Sequence, residues 1–561
     1  MSMRCSPETD AAMGLPSRSR PVGPARRLPD TRVRWDRPGT FGRPLTAGVG
    51  MACALGIDVG STNVKTALVT DAGRVVASAQ RRLETRRADV VAEQDPDALW
   101  AAVADAVAKT TAAAPAEAAA VTTLVCASQY SSIVPVDADG KALAPLITYM
   151  DRRGTDQCFA IWGEHPAAVE TWLERQGIPP IGGGLSLAHL LYVRDDRPEV
   201  YAATDAFCEP MDFVNLRLTG RVAATQGTMF ASQLCDNRTL HGTTYDDDLV
   251  RMAGLDAAKL PPLIRPADAV GRLLPHVAER LGLPATTTVY AAVNDSQAAA
   301  VATGVADPAR AALVIGTTSV VLQSIPERRA TDLDHDILSM PSALDHYLVW
   351  AENGLGGKAL EHVLDHLVYA TDALGDHGTP DAFAFLDRAL ASTPAAANGV
   401  LFLPWLGGSL APDANPAMRG GFLNLSLNTT RADLVRASVE GLAYNARWLV
   451  DAVEGYSGRP IARMVFGGGG ARSTVWAQIL ADVLDRPFNT LAEPETITAR
   501  GAALLALVRD GVLAETEAGT MVPVAATYEP TFEHRAAYDT MFDQFVAAFA
   551  QTKPIFEALN G

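Results

Sequence analysis

The sequence contains no C-x-x-C pair and no apolar run near the roughly eighteen residues that a membrane-crossing helix requires. No signal-peptide core precedes its first strand-like segment. The six cysteines (Cys5, Cys53, Cys126, Cys158, Cys208, Cys235) lie far apart, which argues against a disulfide framework or structural zinc and for reduced, mostly buried thiols in the cytoplasm. Positive charge is also short. Against 47 Lys and Arg stand 64 Asp and Glu, and the net charge of −17 repels phosphate backbones and anionic membrane surfaces alike. Nucleic acid and membrane are therefore not expected partners. What is present, 48% hydrophobic and 20% charged residues over 561 positions, is the composition of a globular protein too long for one core, so two or three domains are expected.

Residues 1–50 differ from the rest. They hold nine Arg and seven Pro against four acidic residues, with no Lys and no sustained periodicity, and cannot bury enough apolar surface to offset their ordering entropy. Because Met51 directly precedes the first strand-like segment, residues 1–51 read as a disordered or spurious extension, with translation starting at Met51. From residue 52, strand-like and helix-like segments alternate, which predicts an α/β protein. In "LGIDVGSTNVKTALVT" (55–70) the apolar period is two on both sides of a Gly-Ser-Thr-Asn turn, a β-hairpin with a covered outer face, and a third strand is expected around Val75 and Val76. A helix is predicted from Asp95 to Lys109, a strand over 121–128, and a hairpin in "IVPVDADGKALAP" about Asp139-Gly140. Residues 287–305 read as a buried strand, a polar break at Asn294-Asp295-Ser296 and an alanine-rich helix. "RAALVIGTTSVVLQSI" (310–325) then repeats the opening plan, which points to duplication of one domain with a boundary near Gly304 to Pro308.

The two hairpin tips offer backbone N–H groups released by glycine, hydroxyls at Ser61, Thr62, Thr317, Thr318 and Ser319, and one ammonium at Lys65. Converging amides and hydroxyls with a single cation suit a phosphate. In "RMVFGGGGARSTVWAQILADVLDRP" (463–487) a strand ends in four glycines and a helix starts at Ser473 or Thr474, so a ligand can lie directly on backbone near the positive end of a helix. No G-x-G-x-x-G fits there, and "GLGGKAL" (354–360) lacks the leading glycine and the Ser/Thr of a P-loop, so it reads as a decoy. Either Asn294 or Asp295 caps the alanine-rich helix. Asp295 also stands at a strand end in the cleft between the halves, where a carboxylate can accept the proton of an attacking hydroxyl. Asp58, a strand-end carboxylate beside the first tip, suits magnesium.

Taken in order, these segments resemble the FGGY carbohydrate kinases of the actin, Hsp70 and sugar-kinase superfamily. "GIDVGSTNVK" is similar to the family's first phosphate motif, "VIGTTS" to the second and "VFGGGGARSTVWAQILADVLDRP" to the adenosine motif; residues 402–447 follow its second-domain signature. The resemblance implies an α/β fold of two RNase H-like (actin-like ATPase) domains around a central cleft, residues 52–304 binding sugar and 305–561 binding ATP with Mg2+. It puts Asp295 at the catalytic base and, with Asp58, near the metal; Gly60, Ser61, Thr62, Asn63 and Lys65 on the first phosphate loop; Gly316, Thr317 and Thr318 on the second; and Gly468, Gly469, Gly470 and Ser473 at the nucleotide.

Substrate residues depart from the pattern. Xylulokinases carry S-G-Q-M-H-G where this chain has "ASQYSS", so Gln129 is kept while Tyr130 and Ser131 replace the Met-His pair as candidate substrate contacts. "YMDRRG" (149–154) resembles the W-x-D-x-R stretch near the sugar and nominates Asp151 and Arg153 as hydroxyl contacts, with Asn294 beside the base. Ser296 argues against glycerol, because glycerol kinases have G-D-Q-Q at that point. The expected function is ATP-dependent phosphorylation of a small sugar or polyol, a pentulose first. Erythritol, ribulose, gluconate and a non-catalytic, nucleotide-switched regulator are the alternatives. A homodimer is common among the kinases it resembles.

Overall fold

The computed structural model describes residues 52–378 and 385–561; Cys5 and the extension read over residues 1–51 lie outside the described residues. Two mixed sheets carry the fold. In the first, Cys53–Val59 (β1), Asn63–Thr70 (β2) and Val75–Arg82 (β3) form an antiparallel meander. After the helix Pro96–Ala113 (α1), Val121–Ser128 (β4) returns parallel to β1. Ala269–Arg272 (β5) and Thr288–Tyr290 (β6) complete the order β5-β6-β4-β1-β2-β3. The short strand Val293–Asn294 pairs with the end of β4 and runs straight into the helix Asp295–Thr303 (α2), with no polar break between them.

The second sheet is built from Arg310–Ile315 (β7), Thr318–Ile325 (β8), Leu338–Pro341 (β9), Tyr347–Leu355 (β10), Arg463–Gly467 (β11), Phe488–Leu491 (β12) and Val524–Tyr528 (β13), in the order β9-β10-β8-β7-β11-β12-β13. Its helices are Arg431–Ser457 (α1's counterpart before the parallel strand, here α3), Thr474–Leu484 (α4), Ile497–Arg509 (α5) and Arg535–Asn560 (α6). In each half the first strand pairs antiparallel with its hairpin partner and parallel with the strand that follows the first long helix: β1 with β2 and β4, β7 with β8 and β11. One plan is used twice.

Period two in β1 explains its place. Leu55, Ile57 and Val59 pack with Leu99, Val103 and Val107 of α1, while Ala54 on the opposite face joins Ala502 and Ala503 of α5. That second cover comes from the other half of the chain and lies very close, since a Cβ on Gly56 would stand 1.8 Å from the Ala499 carbonyl oxygen. The α1 helix starts at Pro96, with Asp95 capping the N–H groups of Asp97 (2.8 Å) and Ala98 (3.3 Å), and runs to Ala113, beyond the predicted Lys109. The predicted hairpin about Asp139-Gly140 forms, with Val136 opposite Ala142 and Ile133 opposite Ile147. The turn closes through Asp137 N–H to Lys141 O at 3.0 Å, Leu143 N–H donates to Pro135 O at 2.9 Å and Ile133 and Ile147 exchange N–H···O bonds at 3.0 Å; Val134–Val136 also pairs with Ala206–Cys208, and Leu146–Ile147 with Glu93 and Gln94. Cys53, Cys126, Cys158, Cys208 and Cys235 are all buried free thiols.

Candidate active site

Capping decides what Asp295 is free to do. The Asn294 side chain accepts from Gln297 N–H at 2.8 Å and Gln297 Oε1 accepts from Asn294 N–H at 3.1 Å, a closed capping box on α2. Asn294 is wholly buried and its acceptor is taken, so it serves the site by placing its neighbour and not by facing a ligand. Asp295 is left as the first residue of α2, its carboxylate accepting Ser296 N–H at 2.7 Å. Burial pushes its carboxyl up to about 6 against the pull of the Ser296 hydrogen bonds. Asp58, opposite Lys65 in the β1–β2 register, is pushed by burial up to about 7, with the Lys65 charge opposing and the Asp295 charge adding.

Glu352 on β10 belongs to the same group. Burial raises it to about 7, a Thr318 hydrogen bond opposes, and the Asp295 charge adds. The Tyr130 phenol is held well above its ordinary range, chiefly by burial and then by Asp295, Glu352 and Glu209, so it is a hydrogen-bond donor at neutral pH. Nothing in the sequence pattern singles out Glu352, because strand pairing with Val320 is what brings it to the second tip.

The two tips close alike, Gly60 N–H on Asn63 O at 3.0 Å and Gly316 N–H on Thr318 O at 2.9 Å. Lys65 extends from the first tip and donates to the Glu495 carbonyl of the other half at 3.1 Å. A cavity of about 580 Å³ is bounded by Gly316, Thr317, Gly357, Gly469, Gly470 and Ser473, a volume suited to a nucleotide. Gly468 has φ +87°, and a Cβ there would stand 2.2 Å from the Ile315 carbonyl oxygen, so only glycine fits where the ends of β7 and β11 meet. The glycine run joins both regions, because Lys65, Gly468, Gly469 and Arg472 line an adjoining cleft of about 250 Å³. Ser473 is the cap of α4, accepting Trp476 N–H at 3.0 Å and donating to Asp387. The segment "GLGGKAL" forms no P-loop, yet Gly357 and Lys358 line the nucleotide-sized cavity; the Gly357 N–H donates to Gly316 O at 2.8 Å. That contact is tertiary, which is why its sequence reads as a decoy.

Gln129, Tyr130 and Ser131 follow β4, with Gln129 N–H tied to Val59 O at 2.9 Å and Ser131 at φ +59°. Asp151 and Arg153 are brought together, but not as open contacts. The fully buried Asp151 accepts Ala92 N–H at 2.8 Å and the Arg153 guanidinium at 2.7 Å, and Arg153 also donates to Glu93 at 2.6 Å and to the Tyr192 hydroxyl at 3.0 Å. Burial opposes ionisation of Asp151, and the Arg153 hydrogen bonds outweigh it and hold the carboxyl below its usual range. Asp151 therefore orients Arg153, and its reading as a hydroxyl contact is replaced by this one. Glu209, buried beneath the turn and accepting Ser132 N–H at 3.0 Å and the Ser186 hydroxyl, escaped the sequence reading, as did Glu93.

Profiles of the FGGY family of carbohydrate kinases match residues 53–302 as the N-terminal domain and 311–509 as the C-terminal domain. The chain belongs to this family. As an FGGY carbohydrate kinase it is an alcohol phosphotransferase whose co-substrate is ATP. It is 28% identical to the xylulose kinase of Bacillus subtilis over 524 residues, covering 91% of this chain and 99% of that protein. The gluconokinase of Bacillus subtilis is 23% identical over 496 residues, covering 88% and 94%. Among solved structures, the xylulose kinase of Rhodospirillum rubrum superposes with a TM-score of 0.78 at 26% identity, covering 90% of this chain and all of that one. The expected family and the two-domain actin-like fold are thus both borne out. No helix among the described residues is long and apolar enough to cross a membrane.

Proposed function

We propose that this FGGY kinase phosphorylates a hydroxyl of a pentulose from ATP with magnesium, residues 52–304 forming the sugar-binding domain and 305–561 the ATP-binding domain. The observation that carries the reading is Asp295, relieved of capping by Asn294 and set where the charges of Asp58 and Glu352 and the Tyr130 phenol meet. In this reading a sugar hydroxyl gives its proton to the Asp295 carboxylate as its oxygen bonds to the γ-phosphorus, and the bond to the β–γ bridging oxygen breaks to release ADP. Ser61, Thr62, Asn63 and Lys65 at the first tip and Gly316, Thr317 and Thr318 at the second hold the phosphates, while Gly468, Gly469 and Gly470 carry the nucleoside. Asp58 and Asp295 supply the hard carboxylate oxygens that magnesium takes, and Lys65 alone is a weak counter-charge to them. Magnesium, when bound, neutralises phosphate charge. Gln129, Tyr130 and Ser131 contact the sugar, with Arg153 held for the same purpose by Asp151.

The pentulose is supported by the 28% identity to a xylulose kinase over nearly the whole of both chains. A sugar acid is the second reading, favoured by the gluconokinase relative. Against it, Nε and Nη2 of Arg153 are already taken by Asp151 and Glu93 and Nη1 donates to Tyr192, which leaves one N–H for a hydroxyl and no two-nitrogen fork for a carboxylate. Five buried free thiols and the acidic charge support a cytoplasmic enzyme, and a homodimer is proposed by analogy with the family.

The test is ADP release with ATP and magnesium against ketopentoses, pentitols, tetritols, glycerol and gluconate. Turnover with a ketopentose supports the reading, turnover with gluconate alone moves it to the second, and ATP binding without any turnover supports the regulator. Lys65→Met should raise KM for ATP by about 10- to 100-fold, the loss of one charge-assisted hydrogen bond, with a smaller change in the sugar KM. An unchanged KM for ATP would remove Lys65 from the phosphate site.

A further inference from the structure

Gln94 stands between the sugar turn and the first phosphate tip. It ends the strand Val91–Gln94, which is fixed on both sides by pairing with Arg86–Ala88 and Leu146–Ile147, and the next residue, Asp95, caps α1. Its backbone therefore has little freedom, and what it transmits passes through its side-chain amide. That amide is buried, with the residue 3% exposed. Its Nε2 donates to Ser61 O at 2.9 Å and to Thr85 Oγ1 at 2.9 Å, and its Oε1 accepts from Gln129 Nε2 at 3.4 Å. Glu93, one residue earlier and on the opposite face of the strand, is ion-paired with Arg153 at 2.6 Å, so the same short strand touches both parts of the sugar region.

The contact with Ser61 bears directly on how the tip presents donors. In a trans peptide the C=O of one residue and the N–H of the next point in opposite directions. Ser61 O is held by Gln94, and Thr62 O accepts Leu83 N–H at 2.7 Å. Tying these two carbonyls to one side turns the N–H groups of Thr62 and Asn63 to the other, as a phosphate cradle requires. At the far end of the chain of amides, Gln129 is 4% exposed and its Oε1 is buried without a hydrogen-bond partner. An unpartnered buried acceptor is costly unless a ligand satisfies it.

We infer that Gln94 is a positioning residue that couples sugar at Gln129 to the phosphate-binding amides of the first tip. A sugar hydroxyl donating to Gln129 Oε1 fixes the Gln129 amide and shortens its long bond to Gln94. The Gln94 amide is then held for Ser61 O, and the Thr62 and Asn63 N–H groups are set before the nucleotide arrives, each bond polarising the next. The inference rests on reading the chain as a sugar kinase. It adds a route by which the two substrates sense each other apart from closure of the domains.

The test measures the affinity of the full chain for AMP-PNP with magnesium by calorimetry, without sugar and with saturating compound selected by the turnover panel. In the wild type the sugar should tighten AMP-PNP by about tenfold, within the usual range of coupling between sites. Gln94→Leu removes the bridge, and Gln94→Glu keeps its shape while removing the donor to Ser61 O. In both, the tightening should fall to within about twofold of unity, with the affinity for AMP-PNP alone within about threefold of wild type and kcat reduced. Unchanged tightening in the two variants overturns the inference, as does a wild type in which sugar has no effect on AMP-PNP. An equal loss of affinity for each ligand measured alone would make Gln94 a merely structural residue and also overturn it. Failure of every compound to be turned over falls instead on the kinase reading, so the two failures are distinguishable.

Discussion

Asp295→Asn should lower kcat by about 10²- to 10⁴-fold, the range for loss of a general base, and leave KM for ATP within a few-fold of wild type. The swap is nearly isosteric, and α2 keeps its cap because Asn294 and not Asp295 makes it. A stability effect of opposite sign should accompany the loss. In the folded chain the Asp295 carboxyl sits at about 6, above its ordinary 3.8, so the native state binds this proton more tightly than the unfolded chain does. Ionising it costs the native state a growing amount as pH rises from the ordinary value to about 6, and the full amount above that. Asparagine is neutral throughout. In magnesium-free buffer the variant should therefore melt at a higher temperature than wild type at pH 8, with the gain shrinking toward pH 4, the usual exchange of stability for an active site. Turnover unaffected by the substitution would remove Asp295 as the base. A gain equal at pH 4 and pH 8 would mean the carboxyl is not strained by burial.

The second large effect comes from packing. α5 is pressed between α2 and the first sheet, and glycines stand at both contacts, Gly501 against α2 and Gly56 on β1. A Cβ on Gly501 would lie 1.8 Å from the Ala298 carbonyl oxygen, and backbone cannot yield as a flexible side chain does. Gly501→Ala should destabilise by about 1–3 kcal/mol or more, as overpacking of a dense core does, and this must first overcome the roughly 1 kcal/mol that alanine gains in a helix interior. Because Ala298 lies three residues along α2 from Asp295, the forced shift should also misplace the base and lower kcat in the fraction that folds. Gly455 in α3 supplies the control, since a Cβ there meets nothing within 4 Å and Gly455→Ala should stabilise by up to about 1 kcal/mol. Thermal melts of the two variants should shift in opposite directions. A Gly501→Ala protein as stable and active as wild type would mean that the helices separate without cost.

Much of the site was legible because its parts are local. The Gly-Ser-Thr-Asn and Gly-Thr-Thr tips, the glycine run at 467–470 and the strand-to-helix step at Asp295 are each contiguous, and each needs a residue type that local geometry demands. Gly468 is the clear case, with positive φ and a neighbouring carbonyl that excludes any Cβ. The repeat was legible for the same reason, since a period-two strand broken by a glycine turn is visible without any partner. The hairpin about Asp139-Gly140 shows where that stops. The turn and the pairing of its two arms were read correctly from Asp-Gly and its flanks, but the arms' second partners, Ala206–Cys208 and Glu93 with Gln94, were not, because no local pattern specifies a partner so far along the chain.

By itself the sequence determined the elements, the two tips, the glycine run and the acid that ends a strand, because these depend on short-range backbone geometry and on residue chemistry that can be read in order; the kinase class came from the resemblance of those motifs, in order, to the FGGY family. Only the tertiary structure decided which polar groups are free to act. Asn294 is closed in its own cap, Asp151 is closed on Arg153, Glu352 is delivered to the second tip by strand pairing, and Gln94 is set between two loops. A buried polar group is satisfied by whatever the fold brings within hydrogen-bond reach, a near neighbour for Asn294 and Asp151 and a residue tens of positions away for Gln94. Whether a carboxylate serves a ligand or a neighbour is therefore settled by packing.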